Sequence, residues 1–398
     1  MVSAGNFFTA ILLARALMPS DYGAYALLYA LMLFMVSLHA ALIVYGLSLR
    51  GAAGTENELG FLTGRSMVLT AGLGSVLATV AGAVAGVISQ LSTVPWTFLA
   101  LVFWLLQETT RRALMARLRH RAAVWGDAVS YLGQAICIAY LFARHELTIN
   151  SAFALMAVTS AAGLLVQTFQ LRLTLTHFRG AFRLVGNFWG LGRWALLANV
   201  AQAFIGQALL WFLAFGGMVR VASFQSVLNL LRVTNPIMLA VGSVLLPTVA
   251  ARQGERTAGL RAARRYGLIG SALLLPYFGV IFVAPAFMLR LLYGAQSVYT
   301  GLGLELRVLV LGSALAYVGH VLGAYYYGLA RSDLVMRCQA VAAATTLVVG
   351  WVMAVDFGVL GAAIAYDLTF VVQTAAFAWM LRPGRPGCDR EPRVLGSA

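Results

Sequence analysis

The chain has 398 residues, 61% of them hydrophobic and 10% charged, with a mean hydropathy of +0.85. Its formal charge is +15, and every basic residue is an arginine. This balance excludes most soluble enzymes: apolar runs of roughly 20 residues cross ~30 Å of hydrocarbon, and they do so as helices because lipid offers backbone amides no partner.

The chain is therefore predicted to be all-α, a polytopic membrane protein of about 12 transmembrane helices. The spans fall at residues 2–17, 22–49, 66–89, 95–110, 122–143, 148–171, 191–215, 222–249, 266–289, 308–329, 338–355 and 359–381. The first is short. At ~1.5 Å per residue it reaches only ~24 Å, so the protein is expected to begin upstream of Met1. With the N-terminus inside, 22 arginines fall in cytoplasmic segments and five (Arg15, Arg144, Arg220, Arg290 and Arg307) on the opposite side. That asymmetry obeys the positive-inside rule, supports an even number of spans and puts both termini in the cytoplasm. Arginines that flank spans orient the chain in a bilayer, so no nucleic-acid partner is expected.

The layout divides in two. Residues 1–178 form an N-terminal lobe of six spans, 179–190 an interfacial connector, 191–382 a C-terminal lobe of six spans and 383–398 a basic cytoplasmic tail. The surrounding stretch from Leu171 to Arg193 mixes Arg with Phe and Trp, as a segment lying in the interface does. A shift of about 199 residues brings span–turn–span at 12–31 onto span–turn–span at 211–231, more by layout than by letters. A six-span repeat keeps its orientation, which implies a pseudo-two-fold along the membrane normal with substrate between the halves.

Cys137, Cys338 and Cys388 lie far apart, and the five histidines form no paired motif, so no metal, cofactor or disulfide framework is expected. No cleavable signal peptide is evident. Chemistry is sought instead in the polar residues of the spans, which are costly to place there. Arg232 lies near the middle of the eighth span. Gln225, Asn229, Arg232 and Pro236 recur at i, i+4, i+7 and i+11, so they are expected to share one helical face, with Pro236 as a hinge. This stripe is read as lining a water-filled cavity that receives an anion. Asn199, Gln202 and Gly206 make a similar face on the seventh span, with Gln207 beside it; such amides serve equally as interhelical glue. Asp367 is the deepest acid. It is read as the ion-pair partner of Arg232, with a coupling cation or proton site as the alternative. His39, in the second span, is read as hydrogen-bonded to a neighbour, with a proton relay as the alternative. Tyr22 and Tyr25 are read as an interfacial aromatic belt, and Glu108 and Asp127 as surface partners of nearby arginines.

Asn6-Phe7-Phe8, Leu13-Ala14-Arg15-Ala16-Leu17, Pro19 and Asp21-Tyr22-Gly23-Ala24-Tyr25-Ala26-Leu27 together resemble the opening of the polysaccharide-export flippases. These are the O-antigen (Wzx-type) translocases of the multidrug/oligosaccharidyl-lipid/polysaccharide exporter superfamily. The match covers about 25 residues; elsewhere the likeness is one of layout. The resemblance implies a central cavity lined by the first, second, seventh and eighth spans, whose cations receive the pyrophosphate and acidic sugars of an undecaprenyl-linked glycan. Carried onto this chain, Arg15 is the motif arginine, Arg232 the midplane cation and Gly23 the motif glycine. The expected partners are the lipid-linked glycan, membrane lipids and polysaccharide-assembly enzymes. Two other functions compete. A multidrug antiporter would want acids in the cavity, where only Asp367 is deep. A glycan polymerase or ligase would want a large outer loop, and only Glu305 with Arg307 forms an outer cluster.

Overall fold

Apolar runs bounded by Pro, Thr and arginine-bearing turns fold entirely as helices in the computed structural model, which describes residues 2–53, 55–251 and 256–382. The expected tail at 383–398 lies outside the described residues. In chain order the α-helices are α1 (Val2–Ala16), α2 (Pro19–His39), α3 (Tyr45–Ala53), α4 (Glu56–Ile88), α5 (Val94–Ala116), α6 (His120–Asp127), α7 (Gly133–Ala143) and α8 (Ile149–Gln170). Then follow α9 (Val185–Ala214), α10 (Met218–Arg232), α11 (Asn235–Ala250), α12 (Arg256–Val283), α13 (Pro285–Tyr293), α14 (Gly303–Gly328), α15 (Ser332–Thr345) and α16 (Trp351–Met380). Three π-helical turns join α2 to α3, α6 to α7 and α15 to α16, at Ala40–Val44, Ala128–Leu132 and Thr346–Gly350.

The starts are chemically marked. Pro19 opens α2, where its missing N–H costs nothing. Thr55 and Glu58 form a reciprocal capping box on α4, with Thr55 N–H donating to Glu58 Oε2 at 2.6 Å. The ends carry a different signature. Leu118, His145, Arg172 and Ala330 all have positive φ, and the N–H after each reaches back five residues to the helix. That closure usually recruits glycine, and here it uses none.

Among the described residues nine helices are long and apolar enough to cross a membrane, or ten if the pair α10–α11, bent by 49°, is one span. The protein is an all-α polytopic membrane protein. Helix α1 has only 15 residues. The 49-residue stretch Ser332–Met380 is interrupted at Gly358, where φ is +62° and ψ −138°. A side chain would strain that backbone. Arg220 completes the turn: its Nη1 donates to Val355 O at 3.2 Å, taking a carbonyl at the end of the first half, and the guanidinium packs over Gly358. Replacing Arg220 with Ala removes this bond and the cation at a helix C-terminus. The expected cost is about 1 kcal/mol, read as a melting point lower by about 2 °C.

The chain forms two compact units, Met1–Ala203 and Phe204–Ala398. In the first, α5 is central and packs on α3, α4, α6 and α8, while α1 packs on α7. The connector does not simply float in the interface. Leu184 and Phe188 join a buried cluster with Ile43, Leu47, Leu59 and Ala113. His177 lies edge-on to Phe61 at 4.7 Å; its ring packs on Gly60 and its backbone on Gly64, where a methyl group would meet the carbonyl. Arg65 Nε donates to Arg179 O at 2.8 Å. In the second unit α14 is central, touching α10, α11, α12, α13, α15 and α16.

Candidate functional site

The second unit holds the strongest candidate. Helix α10 stops at Arg232, and α11 restarts at Asn235 with Pro236 as its second residue. Gln225, Asn229 and Arg232 therefore share one helix, and Pro236 belongs to the next, across the bend. The expected continuous face is corrected: Pro236 leaves Arg232 O without its N–H, and the chain turns instead of continuing. Gln225 and Asn229 are buried, 5% and 2% exposed, and they are engaged. Gln225 Nε2 donates to Asn229 Oδ1 at 2.7 Å, Asn229 Nδ2 faces Tyr293 OH at 3.4 Å, and Tyr293 donates to Ser226 O at 2.7 Å. This chain ties α10 to α13 and fixes its rotation.

Arg232 is half-buried in the last turn of α10, where the helix dipole favours a cation. No carboxylate pairs with it among the described residues, where Arg111, Arg112 and Arg331 do form ion pairs. The expected pair with Asp367 does not form. Asp367 is half-buried, and its Oδ1 lies instead against the Gly312 backbone of α14, where a methyl group would overlap it. Its neighbour Tyr366 is the ring in electrostatic range of Arg232. Arg232 and Asp367 thus occupy one unit without forming an ion pair.

The first unit buries its polar residues in mutual contacts. His39 is fully buried, and its Nε2 lies 3.0 Å from Thr70 Oγ1 and 3.2 Å from Thr109 Oγ1. Thr109 donates to Leu105 O at 3.0 Å, so the hydroxyls link α2, α4 and α5 in series. The hydrogen-bonded reading of His39 is the one observed. One residue before Thr109, Glu108 accepts from Arg111 at 2.9 Å and from Arg112 at 2.5 Å, and Arg111 Nε donates to Asp127 Oδ2 at 3.0 Å. Glu108 and Asp127 are 8% and 5% exposed, so they are not the surface partners expected. Gln107 Oε1 accepts from Ser130, and Gln167 Oε1 from Thr110. Tyr22 and Tyr25 are likewise inside the unit, not in a lipid-facing belt. They stack on each other, and Tyr25 also stacks on Tyr29 and packs on Phe153. The run Gln107-Glu108-Thr109-Thr110 was the available signal for this core, because four polar residues in a span demand protein partners.

The remaining candidates are dispersed. Arg15 is exposed at the end of α1. On α9, Asn199 is half-buried and Gln202 and Gly206 are exposed. Arg307 Nε donates to Phe282 O at 2.9 Å, closing the end of α12 instead of making an outer cluster with Glu305. Among the described residues no group of His, Cys, Asp and Glu could hold a metal ion.

No protein-family model matches the chain, and no curated protein does. Solved structures match it along nearly its whole length. An inward-facing multidrug-resistance MATE transporter of the MOP (multidrug/oligosaccharidyl-lipid/polysaccharide) superfamily gives a TM-score of 0.81 at 16% identity, covering 95% of this chain and 93% of that one. The lipid II flippase MurJ, in an inward closed conformation, gives 0.70 at 11% identity, covering 95% and 85%. The fold is that of the MOP-superfamily transporters. A third MOP transporter, from Pyrococcus furiosus and described by the reverse polarity of its binding pocket, gives 0.66 at 14% identity, covering 95% and 93%. The MOP structures matched are transporters, not enzymes. In this chain that fold carries, at an interrupted helix, an arginine with no carboxylate partner among the described residues.

Proposed function

We propose that the protein is a flippase that moves undecaprenyl-pyrophosphate-linked oligosaccharide across a bacterial cytoplasmic membrane, by alternating access, for O-antigen, capsule or exopolysaccharide assembly. The observation that carries this reading is Arg232, a mid-span cation with no carboxylate partner among the described residues. A cation held in a span at such cost points to a substrate path, and a guanidinium can grip a pyrophosphate with two parallel hydrogen bonds. The opening motif around Arg15 and Asp21-Tyr22-Gly23 supports the same substrate, as does a lipid II flippase among the structures of like fold. One of the matched transporters is described by the reverse polarity of its binding pocket, which suggests a different function for that protein.

Counting α1 as a span and dividing Ser332–Met380 at Gly358 gives twelve spans in two halves of six. The second span of each half is then interrupted, by the π turn after His39 and by the break after Arg232. The fifth of each holds a π turn, at Ala128–Leu132 and Thr346–Gly350. Matching irregularities support a repeat. Both termini are placed in the cytoplasm by the arginine asymmetry, and the expected partners are the glycan, membrane lipids and assembly enzymes.

A strain lacking the gene is expected to accumulate undecaprenyl-linked oligosaccharide on the cytoplasmic leaflet, and the wild-type gene to clear it. Absence of accumulation with glycan synthesis intact would turn the assignment to a multidrug antiporter. Asp367, a half-buried carboxylate without an ion pair among the described residues, favours that second reading as its coupling group. Sensitivity of the same strain to cationic drugs would then be the outcome.

A further inference from the structure

The break beside Arg232 is held open by a residue of another helix. In a continuous helix Thr234 N–H would bond Leu230 O, and Asn235 N–H would bond Leu231 O. Here Thr234 N–H has moved to Leu231 O at 3.1 Å, and Thr234 Oγ1 donates there too, at 2.6 Å. Ile237 and Met238 N–H both point to Thr234 O, which restarts the helix. Pro236 accounts for the loss at Arg232 O, and Thr234, two residues ahead of it, has also left Leu230 O. That carbonyl is occupied by Tyr277 OH of α12, at 2.8 Å. Leu230 O has a second lone pair, so Tyr277 does not block Thr234; it gives the carbonyl a partner once Thr234 has left, where a span would otherwise strand it. With that partner the open form, in which Arg232 stands at a helix end, costs no orphan carbonyl; without it, Thr234 N–H is the partner that remains, and the helix is favoured to run on past Arg232. The Gln225–Asn229–Tyr293 chain already fixes the rotation of α10, so the break is the remaining freedom.

We propose that Tyr277 is a positioning residue for Arg232: by taking Leu230 O it keeps the span open and holds the guanidinium where a polyprenyl pyrophosphate reaches it. This deepens the flippase reading and rests on it. The hinge itself is open to a separate test.

Full-length protein in lipid nanodiscs, with its cysteines replaced by serine, is spin-labelled at Val219→Cys and Val244→Cys, positions 53% and 45% exposed. Tyr277→Phe, which keeps the ring and drops the hydroxyl, is expected to straighten the 49° bend and lengthen the label distance by about 3 Å. Pro236→Ala restores the missing N–H and is expected to act in the same direction. Binding of farnesyl pyrophosphate is expected to weaken about tenfold in Tyr277→Phe, the effect of one hydrogen bond. In an Arg232→Ala background, Tyr277→Phe is expected to add nothing. An unchanged distance overturns the lock. An equal loss of binding in the Arg232→Ala background overturns the positioning role. Wild-type protein that binds no farnesyl pyrophosphate overturns the pyrophosphate reading, whatever the distance shows.

Discussion

Arg232→Met is expected to abolish export of the lipid-linked glycan while making the protein harder to unfold. Arg232 is the last of 15 residues in α10, with the 16 of α11 beyond it, so it sits near the middle of the bent span. On insertion scales an arginine there costs about 2.5–3.5 kcal/mol. Its favourable place at the helix end returns about 0.3–1 kcal/mol. Removing it strands no carboxylate among the described residues, because none is paired with it. The net gain in stability is therefore about 2 kcal/mol. Arg232→Lys keeps the charge and loses the two-pronged fork, so it is expected to export weakly. Thermal unfolding in detergent and accumulation of undecaprenyl-linked oligosaccharide check the two halves separately. A variant that loses both export and stability would assign the guanidinium to packing.

The opposite outcome is expected at Arg111. Its side chain bridges Glu108 and Asp127, both nearly buried, at 2.9 and 3.0 Å. Arg111→Met leaves two carboxylates in the first unit without their shared cation, which costs about 3–5 kcal/mol. Arg112 bonds the same Glu108 but has a 46% exposed side chain, so Arg112→Met is expected to cost about 1 kcal/mol or less. Glu108→Gln and Asp127→Asn, added to Arg111→Met, remove the stranded charges and are expected to recover most of the loss. The yield of monodisperse protein and its melting point rank the four proteins. Equal behaviour of the Arg111 and Arg112 single variants would refute the bridging role.

Span positions were legible where an apolar run ends in lipid: 148–171 was expected and α8 is Ile149–Gln170. Helix lengths were less so. Helix α4 begins at Glu56, ten residues before the expected span, because a helix continues past the hydrocarbon wherever caps such as Thr55–Glu58 close it. The turns at Leu118, His145, Arg172 and Ala330 carry no glycine signal. Arg232 was legible from its cost alone. Its surroundings were not, because Tyr277, which bonds the carbonyl of Leu230 beside the break, is 47 residues from Leu230 in sequence. The burial of Glu108 and Asp127 was hidden for the same reason: Arg111 neutralises both only once α5 and α6 meet.

Arg220 and Arg307 bear on how the polypeptide is sorted as it enters the bilayer. On the proposed topology both must cross against a membrane potential that works at about 2.3 kcal/mol per elementary charge per 100 mV. Each ends on a helix carbonyl, Val355 O or Phe282 O. A helix terminus presents about half a negative charge. Once those helices have formed, the field acts on a partly compensated guanidinium. Two of the five arginines on the far side of the membrane then oppose translocation less than a residue count implies, and the electrical asymmetry of the finished protein exceeds that of its sequence.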